Sequence, residues 1–137
     1  MPSRFNENSE KLIAALKSGK YVQGRETLHE QGCFCWAGLA CEVYRQETGR
    51  GEWVQDDLGM HAFALEGDSN NYEMPCAVAD FFGLMDTNGE YACGTRSLVG
   101  GNDCGDSFKE LAATMESQPP GLFISDNEWT MTDEPKR

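Results

Sequence analysis

The sequence predicts an α+β domain in which about four helices pack on a short antiparallel sheet. Two observations predict this class. Apolar residues recur at helical spacing in four segments, and short alternating or β-rich segments lie between the second and third of these. The chain has 137 residues, 39% hydrophobic and 25% charged, which suits one domain with one core. We therefore predict a single globular domain over residues 1–125 and a loosely ordered acidic tail over residues 126–137.

Two helices are predicted in the first third of the chain. Asn8 or Ser9 can cap a helix over residues 10–18, and a second, more buried helix is predicted over residues 35–48. Gly38 inside the second helix indicates close packing against another element. The aromatic residues that fall on apolar faces are predicted to be core: Trp36, Trp53, Phe63, Phe81, Phe82 and Phe108.

The rest of the chain is predicted to alternate short strands, turns and two more helices. Strands are predicted at residues 26–29, 52–54, 61–65, 71–74 and 122–124. Residues 67–70 have the composition of a turn, and residues 94–105 that of a loop. The third helix is predicted over residues 76–82. The fourth begins at Ser107, which has the capping-box spacing with Glu110.

Charge is the strongest compositional feature of the chain. Eleven Lys and Arg against 23 Asp and Glu give a net charge of −12, with +1 in residues 1–50 and −13 in residues 51–137. An acidic surface repels phosphate backbones and anionic lipid head groups, so direct nucleic-acid binding and membrane binding are disfavoured. The same surface can attract a basic groove on another protein. The alternative interpretation is that the charge serves solubility alone.

Cysteine content and the termini bear on cellular compartment. We expect a cytoplasmic protein, because no segment approaches ~20 apolar residues and no signal peptide is evident. The six cysteines are then expected to be free, with Cys41 and Cys76 acting as small buried hydrophobes. Only Cys33 and Cys35 have close ligand-like spacing. His29 and His61 could complete a zinc ligand set, but no second close pair exists, so we predict no metal and no cofactor.

Four motifs occur in a fixed order along the chain. They are KSGKYVQGR at residues 17–25, FCWAGLAC at 34–41, MPCAV at 74–78 and NDCGDSFKELA at 102–112. This series resembles a family of small uncharacterised proteins found mainly in bacteriophage genomes. The resemblance implies a phage-encoded accessory protein acting in the host cytoplasm. It implies no particular activity.

A glycine-containing, mildly basic segment is a candidate ligand site. Glycines let backbone amides turn toward an anion while cationic side chains supply charge, which suits a nucleotide phosphate or another anion. The candidate ligand-binding residues are Lys20, Gln23, Gly24, Arg25, Asn102 and Asp103. The alternative is structural: a helix end and turn whose Arg25 pairs with a local carboxylate, with Asn102 and Asp103 capping a helix.

A thiol enzyme is a further hypothesis. Cys35 at a helix N-terminus would have a lowered thiol pKa, and His61 at the start of a strand could act as its base. Locally this is similar to the core of papain-like cysteine peptidases. That resemblance implies Gln31 as oxyanion donor and Asn70 or Asn71 as the orienting group. The alternative is a buried cysteine beginning a core helix and a surface histidine on an edge strand.

The acidic tail contains one aromatic side chain. Trp129 stands near Asp126 and Glu128 and is a candidate anchor for a basic partner. Our leading hypothesis is a non-enzymatic accessory protein that binds and modulates a host factor through its acidic surface, as an inhibitor or nucleic-acid mimic.

Overall fold

Five helices and a mixed sheet form the described part of the molecule. The computed structural model describes residues 5–25, 27–30, 32–55, 60–70, 73–92 and 94–124. The helices are α1 (Glu7–Lys17), α2 (Trp36–Thr48), α3 (Cys76–Phe81), α4 (Leu98–Cys104) and α5 (Phe108–Glu116). The strands are β1 (Val22–Gln23), β2 (His29–Glu30), β3 (Cys33–Phe34), β4 (Glu52–Gln55), β5 (Met60–Leu65), β6 (Asp68–Asn70), β7 (Glu90–Tyr91) and β8 (Arg96–Ser97). The predicted α+β class is confirmed.

The main sheet is mixed rather than antiparallel. Its strand order is β1-β3-β2-β5-β4, with β6 also pairing with β5, and β7 pairs with β8 in a separate two-stranded sheet. The pairing of β1 with β3 is parallel, and the other pairings of the main sheet are antiparallel. The predicted antiparallel pairing thus describes four of these five pairs of described strands, and the parallel pair β1–β3 was not predicted. β2 and β3 form a tight hairpin and therefore run in opposite directions. β1 runs in the same direction as β3 and pairs with it on the side away from β2.

The first helix begins one turn earlier than predicted. Asn6, not Asn8 or Ser9, is its N-cap, and the Asn6 side chain accepts hydrogen bonds from the backbone N–H groups of Asn8 and Ser9. Ser9 instead occupies the third helical position of a capping box, and its hydroxyl donates to the Phe82 carbonyl oxygen at 2.7 Å. Asn6, Asn8 and Ser9 are all residue types that cap helices, and in the structure Ser9 is used in the capping box and in the contact with Phe82.

The second helix agrees with its prediction to within one residue. Cys35 is the N-cap, and Gly49, with φ of 73°, ends the helix in the left-handed conformation. A Cβ atom at Gly38 would lie 1.7 Å from the Leu28 carbonyl oxygen. The predicted close packing at Gly38 is confirmed, and α2 lies directly against the backbone before β2.

The hairpin of β5 and β6 corrects two predictions. The turn consists of Glu66 and Gly67, which both have positive φ (55° and 91°), as a tight two-residue hairpin requires. The next residues are strand, so the predicted turn at 67–70 was misplaced. Of the predicted strand at 71–74, residues 71 and 72 lie outside the described residues, and residues 73 and 74 are not strand.

Helix α4 lies inside the segment predicted to be loop. Ser97 caps it by accepting from the Gly100 N–H at 2.9 Å, and Gly105 ends it at a φ of 117°. The helix was missed because Gly100 and Gly101 are poor helix formers. Tertiary hydrogen bonds of Asn102 supply stability that the local sequence lacks. The predicted capping box of Ser107 and Glu110 at the start of α5 is confirmed.

The core surrounds α2. Trp36, Phe63 and Phe82 are fully buried and Phe108 nearly so, whereas Trp53 and Phe81 pack against the core only partly buried. Cys41 is buried as predicted, but Cys76 is exposed because the first turn of α3 lies at the surface. The predicted last strand at 122–124 is reduced to a bridge between Phe123 and Leu84. None of the described helices has the length and hydropathy to cross a bilayer.

Candidate functional site

Cys35 is a structural cap in this fold. Its Sγ accepts a hydrogen bond from the Gly38 N–H at 3.4 Å, and the side chain is buried. Burial raises the pKa of the Cys35 thiol by more than the N–H groups of Gly38 and Ala37 lower it. The thiolate that nucleophilic catalysis requires is therefore disfavoured.

His61 lies two strands away from the end of β3. Phe34 pairs with His29, and His29 pairs with His61, so about 10 Å separates the backbones of Phe34 and His61 at ordinary strand spacing. No hydrogen bond joins the described atoms of His61 to Cys35. The structure does not bring the proposed nucleophile and base together. His61 also lies on the internal strand β5, not on an edge.

The remaining residues of the thiol hypothesis are placed as follows. Gln31 and Asn71 lie outside the described residues, as do the tail residues Asp126, Glu128 and Trp129. Asn70 belongs to β6, opposite Phe63.

The two histidines stack on each other instead. Their ring centroids are 4.4 Å apart with planes 29° apart, and Phe34 stacks on the other side of His29, also at 4.4 Å. The Nδ1 atom of each histidine is buried without a hydrogen-bond partner. Burial lowers the pKa of His29 and His61 lowers it further, against the opposite effect of Glu42. Nearly parallel imidazoles direct their in-plane lone pairs side by side rather than to one point, so the pair is poorly arranged to chelate a metal ion.

Glu42 is the centre of a polar cluster beside these rings. Arg45 donates to its two carboxylate oxygens at 2.9 and 2.7 Å, Gln46 donates at 2.8 Å, and the Trp53 indole donates at 2.9 Å. Burial raises the pKa of Glu42, but these hydrogen bonds and the Arg45 charge outweigh it, so the net pKa is lowered. The cluster holds α2 to β4 with an ionised carboxylate.

Gln23, Gly24 and Asn102 of the predicted anion site lie together, but their polar groups bond to each other and not to a ligand. The Asn102 Oδ1 accepts from the Gln23 side chain at 2.8 Å and from the Trp36 N–H at 3.2 Å, and its Nδ2 donates to the Gly24 carbonyl at 2.9 Å. Asp103 Oδ1 lies 3.4 Å from the same Nδ2. We call the hydrogen-bonded set of Gln23, Gly24, Trp36 and Asn102 the Asn102 junction.

Gln23 completes the junction toward α5. Its Nε2 also donates to the Asp106 carbonyl at 2.7 Å, and its Oε1 accepts from the Phe108 N–H at 3.1 Å. Asn102 is fully buried. The amide groups that were candidates for a ligand are therefore used to join β1, α2, α4 and α5.

The two cations of the predicted anion site differ in position. Arg25 is exposed and lines a cavity of about 250 Å³ with Gly24, Thr27, Glu30 and Cys33. Lys20 is exposed between α1 and β1 and does not line that cavity. Arg25 and Gly24 thus line one cavity, which Lys20 does not line.

A groove that the sequence analysis missed lies around the hairpin of β5 and β6. One cavity of about 480 Å³ lies on the outer face of the sheet and is lined by Glu52, Val54, Ala62, Ala64, Leu65, Glu66, Gly67 and Ser69. An adjoining cavity of about 500 Å³ is lined by Phe63, Leu65, Glu66, Ser69, Glu73, Met74, Pro75, Cys76, Ala77 and Thr87. The two share three residues, and together we call them the acidic groove.

The described lining of the acidic groove is more negative than positive. It includes the carboxylates of Glu52, Glu66 and Glu73 and no Lys, Arg or His. Glu66 forms an ion pair with Arg50, and Glu73 accepts a hydrogen bond from the Thr87 hydroxyl. A third large cavity, of about 510 Å³ beside α4, contains Arg96 as well as carboxylates, so its charge is mixed.

A sequence signal for the groove was present. Small residues alternate with large ones in His61-Ala62-Phe63-Ala64-Leu65, which places Ala62 and Ala64 on the outer face of β5. Val54, 45% exposed, lies opposite Ala62, and Glu52 lies opposite Ala64. This face has small side chains and open space where a covered sheet would have large ones.

Comparison with known proteins identifies a family and no function. A family model described as a domain of unknown function, DUF8296, matches residues 5–119. No curated protein and no solved structure matches the chain.

Proposed function

The chain belongs to the DUF8296 family of domains of unknown function, and from this premise we propose that it is a binding protein, not an enzyme, that takes a basic protein partner through the acidic groove. The motif resemblance described above favours a phage-encoded accessory protein, whose partner would be a host factor. The proposal depends on one observation: the groove combines about 1,000 Å³ of adjoining open cavity with three carboxylates in its described lining, of which Glu66 is paired with Arg50, and no cationic side chain lines it.

Charge around the groove supports this proposal. The described residues of the segment 51–124 include eleven carboxylates and two basic side chains, Arg96 and Lys109. Two of those carboxylates, Glu66 and Glu116, are paired with cations of the first 50 residues. A surface so poor in local counter-ions attracts cationic partners over a Debye length of about 8 Å and raises their association rate.

Affinity capture with charge variants tests the proposal. Wild-type protein, a groove variant (Glu52→Gln, Glu66→Gln, Glu73→Gln) and a control variant (Glu10→Gln, Glu47→Gln, Glu116→Gln) are used as bait in bacterial lysate. The control makes the same charge change at exposed sites that do not line the groove. Bound proteins are identified by mass spectrometry at about 0.1 M and 1 M salt.

We expect a basic partner that is captured by the wild type and the control at low salt and lost with the groove variant and at high salt. A partner retained equally by the groove variant contradicts the proposal. So does a partner whose capture is unchanged at high salt, since the interaction would then not be electrostatic.

Anion binding is a second candidate function, favoured by Arg25 beside Gly24 in a cavity of about 250 Å³. Thermal unfolding with inorganic phosphate and with nucleotides tests it, because a ligand at 100 times its Kd adds about 2.7 kcal/mol of stability. Arg25→Gln should abolish any such shift. A shift that persists in Arg25→Gln places the anion elsewhere.

A further inference from the structure

We infer that the stacked pair of His29 and His61 is an acid-sensitive junction in the main sheet. Both imidazoles are neutral at pH 7, and their protonation at mildly acidic pH weakens the pairing of β2 with β5. This response to pH does not depend on a partner at the acidic groove.

The two histidines lie where the two halves of the main sheet meet. Among the described strands, only the pairing of β2 with β5 joins β1, β3 and β2 to β4, β5 and β6. It consists of two residue pairs, His29↔His61 and Glu30↔Met60. Residues directly opposite each other on antiparallel strands have their side chains on the same face, so the two imidazole rings meet across this pairing. A charge on these rings therefore acts on a connection that is only two residues long.

The surroundings of the rings favour the neutral imidazole. Phe34 and His61 stack on opposite faces of the His29 ring, each with a centroid distance of 4.4 Å, and the Trp53 ring contacts it at 5.0 Å. The Nδ1 atom of each histidine is buried without a hydrogen-bond partner. A neutral ring can leave a lone pair at that atom, whereas a protonated ring carries an N–H on both nitrogens and would bury an unpaired donor.

The charged groups on α2 offset this preference only in part. Glu42 favours the protonated form of His29, but the Arg45 guanidinium already donates to both oxygens of that carboxylate. Burial and the neighbouring His61 outweigh Glu42, so the pKa of His29 is lowered. Protonation of both rings would place two positive charges on rings whose centroids are 4.4 Å apart, and like charges at this separation repel.

The titratable groups on the neighbouring strands point elsewhere. Glu30 on β2 and Cys33 on β3 are each adjacent in sequence to a stacked ring, so their side chains lie on the opposite face of the sheet. On β4, Glu52 lies on the outer face, and the residue opposite His61 is the uncharged Gln55. Glu42 is therefore the described carboxylate that acts on His29.

The sign of the pH dependence follows from these contacts. Histidine in the unfolded chain is protonated near pH 6.5, whereas the lowered pKa of His29 means that the folded protein takes up this proton only at lower pH. Stability is therefore complete above about pH 6.5 and is lost as the pH falls below it through the folded value. His29 and His61 are the only histidines of the chain, so the interval from about pH 7 to 5.5 separates them from carboxyl groups of ordinary pKa.

Urea denaturation of the full-length protein at about pH 7 and pH 5.5 tests the inference. The comparison is a double variant, His29→Phe with His61→Phe, which keeps two aromatic rings at the junction but cannot be protonated there. Between the two pH values, we expect the unfolding equilibrium constant of the wild type to rise at least threefold more than that of the double variant. An equal change in both proteins overturns the inference.

Histidine NMR signals of the wild type give a second test that does not depend on the double variant. With ¹³C-labelled histidine, two Cε1 signals are expected, and the His29 signal should titrate below pH 6.5. His61→Phe keeps a ring beside His29 and removes the second charge, so it should raise the pKa of His29. A His29 signal that titrates at or above pH 6.5 in the wild type overturns the inference.

Amide hydrogen exchange locates the response. After correction for the intrinsic effect of pH on exchange, peptides covering β2 and β3 should lose at least threefold more protection at pH 5.5 than peptides covering α5. Equal loss in both regions would mean that acid acts on the whole domain, which overturns a response at the junction of β2 and β5.

Discussion

The Asn102 junction and the acidic groove are both built from polar side chains, and they use them in opposite ways. In the junction, Asn102 is fully buried and the amides of Gln23 and Asn102 bond to each other and to the backbone. In the groove, Glu52 and Glu73 are exposed, and no cation lies in the described lining. Buried polar groups must be satisfied within the chain, whereas exposed carboxylates can remain charged because water solvates them. Candidate binding residues are therefore better sought among the second kind.

The largest effect is expected next to the junction, at Gly38. Gly38→Ala places a Cβ 1.7 Å from the Leu28 carbonyl oxygen and 2.5 Å from its carbonyl carbon, and backbone atoms cannot move aside cheaply. We expect a loss of about 3 kcal/mol or more in the free energy of unfolding, measured by urea denaturation. Gly19→Ala is the comparison: nothing lies within 4 Å of its Cβ position, so its expected loss is only the backbone strain of about 1–2 kcal/mol that its φ of 75° imposes on alanine. Equal stability of the two variants would contradict this packing.

The second prediction removes the centre of the junction. Asn102→Ala leaves the Trp36 N–H and the Gly24 carbonyl without their partner, and we expect it to cost about 3 kcal/mol in urea denaturation. Cys104→Ala, at the exposed end of the same helix, should change stability by less than about 0.5 kcal/mol. A loss below about 1 kcal/mol for Asn102→Ala would mean that the junction is not structural.

The third prediction concerns pH dependence at Glu42. Because the folded-state pKa of Glu42 is lowered, its contribution is present above the unfolded carboxyl pKa of about 4.3 and is lost as pH falls through the lowered value. Glu42→Gln should cost about 2 kcal/mol at pH 7, and the difference from wild type should shrink at acidic pH. Glu47→Gln, which breaks only an exposed pair with Lys11, is the control. A difference that is independent of pH would show that Glu42 is not ionised in its cluster.

The fourth prediction concerns thiol reactivity. Burial raises the pKa of Cys35 and of Cys41, whereas Cys76 and Cys104 are exposed. We expect iodoacetamide near neutral pH to label Cys76 and Cys104 at least tenfold faster than Cys35, followed by peptide mass spectrometry. Fastest labelling at Cys35 would revive the thiol-hydrolase hypothesis.

The smallest effect on stability is expected in the groove. The groove variant removes three carboxylates and one exposed ion pair, Arg50–Glu66, so we expect the free energy of unfolding to change by less than about 1 kcal/mol in either direction. The control variant should behave alike, although it removes the pairs Lys11–Glu47 and Lys17–Glu116. A loss above about 2 kcal/mol in the free energy of unfolding of the groove variant would show that these carboxylates stabilise the fold, as the residues of the Asn102 junction do.

Local signals predicted the elements that local physics stabilises. Helix α2 has apolar periodicity and a glycine stop, and α5 has a capping box, so both were predicted nearly to the residue. Helix α4 was missed because two glycines weaken its local propensity, and the buried side chain of Asn102 anchors it from outside. The predicted start of α1 was wrong: Asn6 is the N-cap, and the Ser9 hydroxyl bonds to the carbonyl oxygen of Phe82, 73 residues away.

The sequence by itself determined the α+β class, the main helices and the charge of −13 in residues 51–137, because composition and periodicity are local properties. The tertiary structure decided which of those residues are neighbours. Strand pairing placed His61 beside His29 and away from Cys35, and packing buried Asn102 among its partners. The register of β4 and β6 on β5 gathered Glu52, Glu66 and Ser69 around one groove. Distances between residues remote in sequence depend on long-range pairing and core packing, which no local pattern encodes.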